Sequence, residues 1–310
     1  MTDTINDATE TVLIMNPKSG SADHAGAVRD RVTPRGYTLL ETQREHHAIQ
    51  LAKQAAEEDV EEIVAVGGDG TLNEVVKGIH SAGALSEVTV GVVPTGTGND
   101  FASNIGIMGI EHAFDVLESG ERRTIDLGMA DDAPFVNSCI AGITAQASHE
   151  TSTELKSRIG VLAYVVTTLQ LATEFSGLEL TASVVEGEES KTVWQGSATL
   201  VLVGNGRRFS MAGMEQANLE DGLLDVTIIE DAASFDLATD RLAERLFKNE
   251  TDNVERIRAS SIELSVDSEE STVFSLDGEI HELESVELTS HPGVLEMYVG
   301  EGYEQNPRVD

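Results

Sequence analysis

The residues best suited to chemistry lie in the run Val66-Gly67-Gly68-Asp69-Gly70-Thr71-Leu72-Asn73-Glu74. An apolar strand pattern ends there in three closely spaced glycines, and a helical pattern begins at once. Glycines let successive backbone N–H groups turn toward one point and cradle an anion. A helix start adds unsatisfied N–H groups and the positive end of the helix dipole. The physical reading is phosphate binding. Asp69 refines it, because a carboxylate among phosphate-facing amides repels phosphate unless a divalent cation or a water lies between them. Thr71 and Glu74 have the spacing of a capping box, which predicts where the helix starts. The run is neither a Walker A loop nor a G-x-G-x-x-G turn, since Asn73 stands at the third glycine position.

Two more polar, glycine-bearing segments follow strand-like runs. Asn16-Pro17-Lys18-Ser19-Gly20 follows the apolar stretch 11–15, and Pro94-Thr95-Gly96-Thr97-Gly98-Asn99-Asp100-Phe101-Ala102 follows 88–93. The intervening pattern predicts helices over 24–32, 46–58 and 71–79 and strands over 37–41 and 63–66. Such alternation implies right-handed crossovers and a parallel sheet covered on both faces. Loops at the carboxyl ends of such strands converge on one crevice. Lys18 could there neutralise phosphate charge.

After about residue 123 the pattern changes to paired strands, over 124–130, 135–145, 178–185, 192–203, 223–229, 259–266, 271–276 and 285–289. Glu186-Gly187, Asn205-Gly206, Asp221-Gly222 and Asp277-Gly278 mark turns. Helical patterns at 155–171 and 235–247 interrupt them. This half reads as an antiparallel sheet domain.

Together these segments resemble the signatures of the diacylglycerol kinase catalytic domain family, which includes sphingosine kinases and bacterial lipid kinases and is distantly related to NAD kinases and phosphofructokinases. The resemblance runs from about residue 12 to 299. It includes Lys156, Gly160 and Ala163-Tyr164, then Gly142, Gly204-Asn205-Gly206, Asp221-Gly222-Leu223-Leu224-Asp225 and Asp277-Gly278-Glu279. The family's glycine run after the Asn-Gly turn is replaced by Phe209-Ser210-Met211-Ala212-Gly213.

The resemblance implies an α/β N-terminal domain with a parallel sheet (NAD kinase/phosphofructokinase-like) over 10–125. A strand at about 292–310 returns to it. A C-terminal antiparallel β-rich domain for the lipid covers 126–291. ATP would bind Asn16, Pro17, Lys18, Ser19, Gly20, Thr42, Gly67, Gly68, Asp69, Gly70, Thr71, Leu72, Asn73 and Thr97. Asp69, Asp100 and Asp126 would hold Mg²⁺, some through water, and Glu279 would be the general base. A second, structural cation, known in bacterial relatives, would take the carbonyls of Asn218 and Leu223 and the carboxylate of Asp221. The acceptor would be a lipid hydroxyl reached by transient membrane contact, with 160–171 and 209–214 as contact candidates. A kinase of a soluble alcohol such as NAD and a non-catalytic nucleotide-binding protein are the alternatives, and a homodimer is left open.

Composition narrows the classes. The 310 residues carry 20 Lys and Arg against 55 Asp and Glu, a net charge of −35. Dispersed acidity of this size opposes nucleic-acid binding, which needs a cationic footprint. It also makes the compact state self-repelling unless salt screens it, so a salt-rich cytoplasm is the expected setting. One cysteine, Cys139, excludes an internal disulfide and a multi-cysteine zinc site, and its apolar flanks predict an inert core residue. The eight histidines form no metal-binding spacing. The acidic start lacks a signal-peptide apolar region, and no stretch is apolar enough to span a bilayer. A cytoplasmic protein, peripheral to the membrane, is therefore expected.

Overall fold

The computed structural model describes residues 10–20, 24–142, 177–210, 213–230, 254–267 and 272–307. The helices expected at 155–171 and 235–247, the Lys156–Tyr164 motif and the 160–171 contact segment lie outside the described residues. So do the side chains of 209–214. The chain divides into two units, residues 1–126 with 293–305, and residues 127–292 with 306–310.

The first unit is built in chain order from β1 (Thr11–Met15), α1 (His24–Arg35), β2 (Thr38–Glu41), α2 (His47–Glu57), β3 (Glu62–Gly67), α3 (Asp69–Ala82), β4 (Thr89–Pro94), α4 (Asp100–Asn104) and α5 (Ile110–Ser119). The strands pair in the order β2-β1-β3-β4, all parallel. β1 and β4 are buried at every position, which is why they read as unbroken apolar runs rather than alternating ones. The first-unit end of the last strand adds to β4 in parallel, with Glu296 opposite Thr89 and Met297 opposite Val90. Leu13, Ile14, Ile63, Phe101 and Phe114 are among the fully buried side chains.

β5 (Glu121–Ala130) leads into the second unit. There follow β6 (Ala133–Phe135), β7 (Ser138–Gly142), β8 (Leu178–Glu186), β9 (Glu189–Ala198), β10 (Leu200–Gly204), β11 (Arg207–Ser210), β12 (Gly213–Gln216), β13 (Leu224–Ile229), β14 (Val254–Ala259), β15 (Ser261–Val266), β16 (Thr272–Leu276), β17 (Glu279–Leu283) and β18 (Ser285–Val299). One antiparallel sheet runs β14-β13-β10-β7-β16-β17. The second pairs β18 with β15, β15 with β8 and β8 with β9, again antiparallel. Both contribute to one core that contains Phe135, Val201, Val226, Leu264, Phe274 and Leu288. This is a sandwich: two sheets each burying one face against the other.

Two long strands predicted as single runs are each two. The stretch 135–145 breaks at Val136-Asn137 into β6 and β7. The stretch 192–203 breaks at Thr199, where the chain passes from the sheet of β9 to the sheet of β10. The Thr199 N–H reaches the carbonyls of Ile229 and Glu230 at 2.7 and 3.0 Å, so the crossover leaves its donor paired.

Candidate active site

Parallel pairing puts the ends of four strands at one edge of the first unit. Met15 lies opposite Glu41 and Val66, and Gly67 opposite Pro94. The loops leaving those ends are then tied across the strands. Asn16 N–H donates to the Val66 carbonyl (2.9 Å), Thr42 N–H to that of Met15 (2.8 Å), and Thr95 N–H to that of Gly67 (2.9 Å). The predicted segments 16–20, 67–73 and 95–100, and Thr42 one residue past β2, thus share one edge.

Glycine sets how closely they meet. A Cβ on Gly20, where φ is +56°, would lie 2.2 Å from the Thr95 carbonyl oxygen. One on Gly96 would lie 2.4 Å from Gly68 Cα. Neither backbone contact could yield to a side chain, so both positions require glycine. Hydroxyl oxygens of Ser19 and Thr95 add a 2.7 Å hydrogen bond across the same gap. Asn99, in the left-handed region at φ +53°, closes the 96–99 turn. Its Oδ1 accepts the Gly96 N–H at 2.9 Å and its Nδ2 donates to the Gly96 carbonyl at 2.8 Å.

Asp69 has a structural task that its sequence context did not suggest. Its Oδ1 accepts the Phe101 N–H at 2.9 Å and its Oδ2 the Asp100 N–H at 3.1 Å. It therefore caps α4 from another segment, joining loop 67–71 to loop 96–101. Hydrogen bonds to a charged group contribute roughly 1.5–3 kcal/mol each. The capping box expected from Thr71 and Glu74 does not form. Gly68 is the N-cap, with no side-chain cap, and α3 begins at Asp69. Thr71 is already inside the first turn, buried against Gly67, where a Cβ would lie 2.2 Å from its Oγ1. The glycine at 67 makes room for that hydroxyl, and Asp69 in the first turn suits the helix dipole.

The place a Cβ would take on Gly98 lies 3.7 Å from both Asp69 Oδ2 and Asp100 Oδ1. Two carboxylates thus border a space that a larger residue would fill. Thr97 and Lys18 are exposed, whereas Leu72 and Asn73 are buried. The Asn73 Oδ1 has no hydrogen-bond partner among the described residues, an orphaned acceptor in the first turn of α3. Such a donor set, hard oxygens beside backbone amides, fits Mg²⁺ and a nucleotide phosphate.

Asp126 lies within β5, inside the predicted strand 124–130. It is 3 % exposed, and its Oδ1 accepts the Gly293 N–H at 2.9 Å. Glu279 belongs to the second unit, where Asp277 and Gly278 form a two-residue hairpin turn with φ of +47° and +96°. Leu276 pairs with Glu279 across it. The turn is not loose. The Asp277 carboxylate accepts the N–H groups of Val136, Asn137 and Ser138 at 2.6–2.9 Å. Burial pushes the Asp277 carboxyl above the ordinary Asp range, and those three donors with Arg207 pull it back. The turn itself was expected at Asp277-Gly278; its anchor lies some 140 residues earlier in the chain. Cys139, beside this anchor, is fully buried and burial pushes its thiol up, as an inert core residue requires.

The expected structural cation set is arranged differently. Asn218 Oδ1 accepts the Glu220 N–H and Asp221 Oδ1 the Leu223 N–H, both at 3.0 Å. Asp221 Oδ2 is taken by the Arg258 guanidinium, whose Nε also donates to Asp225 Oδ1 at 3.1 Å. The one carboxylate of the expected set, Asp221, thus already has positive charge beside it, and a divalent ion there would compete with Arg258.

Two family models match the chain. Residues 10–130 match the diacylglycerol kinase catalytic domain, and 137–299 match the YegS C-terminal NAD kinase beta sandwich-like domain. A diacylglycerol kinase of Staphylococcus haemolyticus is 34% identical over 230 residues, covering 71% of this chain and 67% of that protein. The chain belongs to the diacylglycerol kinase family. Another family member, the diacylglycerol kinase of Staphylococcus aureus strain bovine RF122 / ET3-1, is 33% identical over 228 residues, 70% of each chain. Two crystal structures from Bacillus anthracis str. Sterne share the fold. One superposes with a TM-score of 0.79 at 22% identity, covering 98% of this chain and 99% of that one. The other, of a diacylglycerol kinase, gives 0.68 at 18% identity, covering 95% and 98%.

Proposed function

We propose that this family member transfers the γ-phosphoryl group of ATP to the hydroxyl of a diacylglycerol-like lipid. The observation that carries the reading is the first-unit edge, where three glycine loops interlock and the Asp69 and Asp100 carboxylates border the bare face of Gly98. Phosphoryl transfer asks a protein mainly for positioning and charge neutralisation. Amides of 16–20, 67–73 and 96–98, with Thr42 and Thr97, would hold the triphosphate, and Lys18 would add positive charge. Asp69, Asp100 and Asp126 would hold Mg²⁺, which when bound neutralises phosphate charge. Glu279 would take the proton of the lipid hydroxyl as its oxygen bonds to the γ-phosphorus, and ADP would leave. Asp277 then serves this chemistry by fixing the turn that carries Glu279.

No described helix is long and apolar enough to cross a membrane. We infer access to lipid by transient contact of a peripheral, cytoplasmic enzyme, and a surface this acidic points to molar salt as its working condition.

The test incubates the full chain with labelled ATP, Mg²⁺ and either diacylglycerol, total lipid extract or NAD, at low salt and in molar KCl. Mass spectrometry identifies the labelled product. Label on lipid is expected, with Glu279→Gln reducing turnover at least ~100-fold while folding is kept. Label on NAD alone would make this a kinase of a soluble alcohol. Tight ATP binding with no labelled product would make it a nucleotide-binding protein.

A further inference from the structure

The turn between β12 and β13 carries a concentration of acidic and polar groups, and the strand beside it carries their counter-charge. Asp225 on β13 stands directly opposite Arg258 on β14. From that position the guanidinium reaches both Asp225 and Asp221, four residues earlier in the turn. The remaining Asp221 oxygen and the Asn218 side chain accept backbone N–H groups of the same turn. Arg256, two residues before Arg258 and therefore on the same face of β14, lies within electrostatic reach of Asp225 and Arg208. Three arginines thus act on Asp225, and Arg258 is paired with Asp221 as well, in a chain with 20 Lys and Arg in all.

We propose that Arg258 does in this chain the work of a structural divalent cation, fastening the 218–225 turn to β14 through Asp221 and Asp225. A guanidinium is suited to it. It is planar, presents a fork of donors that can serve two carboxylates, and stays charged at every pH the fold survives. A divalent ion at Asp221 would have to displace that fork or share an oxygen with it, against the charge of Arg258 itself. The fastener is covalently part of the chain, so neither a chelator nor competing monovalent cations can remove it. The proposal does not depend on which acceptor the kinase uses.

Metal analysis of the full chain tests it, with no nucleotide present. The protein is stripped with EDTA, equilibrated with Mg²⁺ or Ca²⁺, gel-filtered and assayed by elemental mass spectrometry beside Asp221→Asn. No stoichiometric ion should be retained, and the wild-type unfolding temperature should be the same in EDTA and in Mg²⁺ at matched ionic strength. An ion held by wild type and lost from Asp221→Asn would overturn the proposal. Arg258→Gln should unfold roughly 5 °C lower in EDTA and recover part of that in Mg²⁺ or Ca²⁺, because Asp221 and Asp225 lose the guanidinium they share. Unfolding of Arg258→Gln at the wild-type temperature would also overturn it. Should Arg258→Gln fail to fold, Arg258→Lys, which can serve one carboxylate at a time, should fall between the two; an unchanged temperature there counts against the proposal.

Discussion

The two ends of the parallel sheet in the first unit use polar groups in opposite ways. At the amino ends of the strands, Glu62 takes hydrogen bonds from Thr11, Arg122 and the Tyr298 hydroxyl at 2.6–2.7 Å. Arg122 also donates to the Tyr298 oxygen at 2.6 Å and lies 4.8 Å from the centre of its ring. Side chains there satisfy one another. At the carboxyl ends, apart from the Ser19–Thr95 hydroxyl pair, side chains satisfy backbone: Asp69 holds two N–H groups and Asn99 spans a turn. That leaves a space beside Gly98 bordered by the Asp69 and Asp100 carboxylates. One end is closed by side-chain pairing, and the other keeps the space beside Gly98 where we propose the ligand binds.

The largest effect should come from closing the open end. Gly96→Ala places a Cβ 2.4 Å from Gly68 Cα, backbone that cannot move without parting the loops. A cost of roughly 3 kcal/mol is expected, typical of overpacking at a rigid site. Denaturant unfolding measures it, and a variant as stable as wild type would mean the loops are not interlocked.

Two residues away the same substitution should act on ligand alone. A Cβ on Gly98 meets nothing nearer than 3.7 Å, yet it enters the space between Asp69 and Asp100. Gly98→Ala should leave stability within about 0.5 kcal/mol and raise the KM for Mg-ATP roughly 10-fold, or ~1.4 kcal/mol. Unchanged kinetics would show that metal and phosphate bind elsewhere.

The contrast also explains what could be read from residues alone. β1, β3 and β4 lie within one residue of their predicted bounds, because strands buried on both faces announce themselves as apolar runs between breakers. The motif loops were legible for the same reason: glycine and asparagine at strand ends reflect local backbone demands. α4 was not foreseen. It is five residues long and its cap comes from Asp69, 31 residues earlier, so no local pattern encodes it. Asp277 and Arg258 share that difficulty. Each looks like an ordinary turn or strand residue until a partner 140 or 37 residues away is brought beside it. The breaks at Val136-Asn137 and Thr199 were hidden because apolar alternation continues through them while the chain changes partners.

The smallest effect belongs to the closed end. Burial, and then Glu62, push the Tyr298 hydroxyl up to about 12, because the phenol donates to a carboxylate that its anion would repel. A group whose pKa is raised on folding stabilises while it stays protonated. The contribution should be complete below the unfolded value near 10 and lost as pH rises through about 12. The cluster is partly exposed, so solvent screening keeps the contribution under ~1 kcal/mol. Absorbance of the tyrosinate band, wild type minus Tyr298→Phe, should show one late-titrating phenol. Stability of the two proteins should differ at pH 8 and converge toward pH 12, while KM for Mg-ATP stays the same in both. A Tyr298→Phe effect on KM as large as that of Gly98→Ala would erase the distinction between a closed end and an open one.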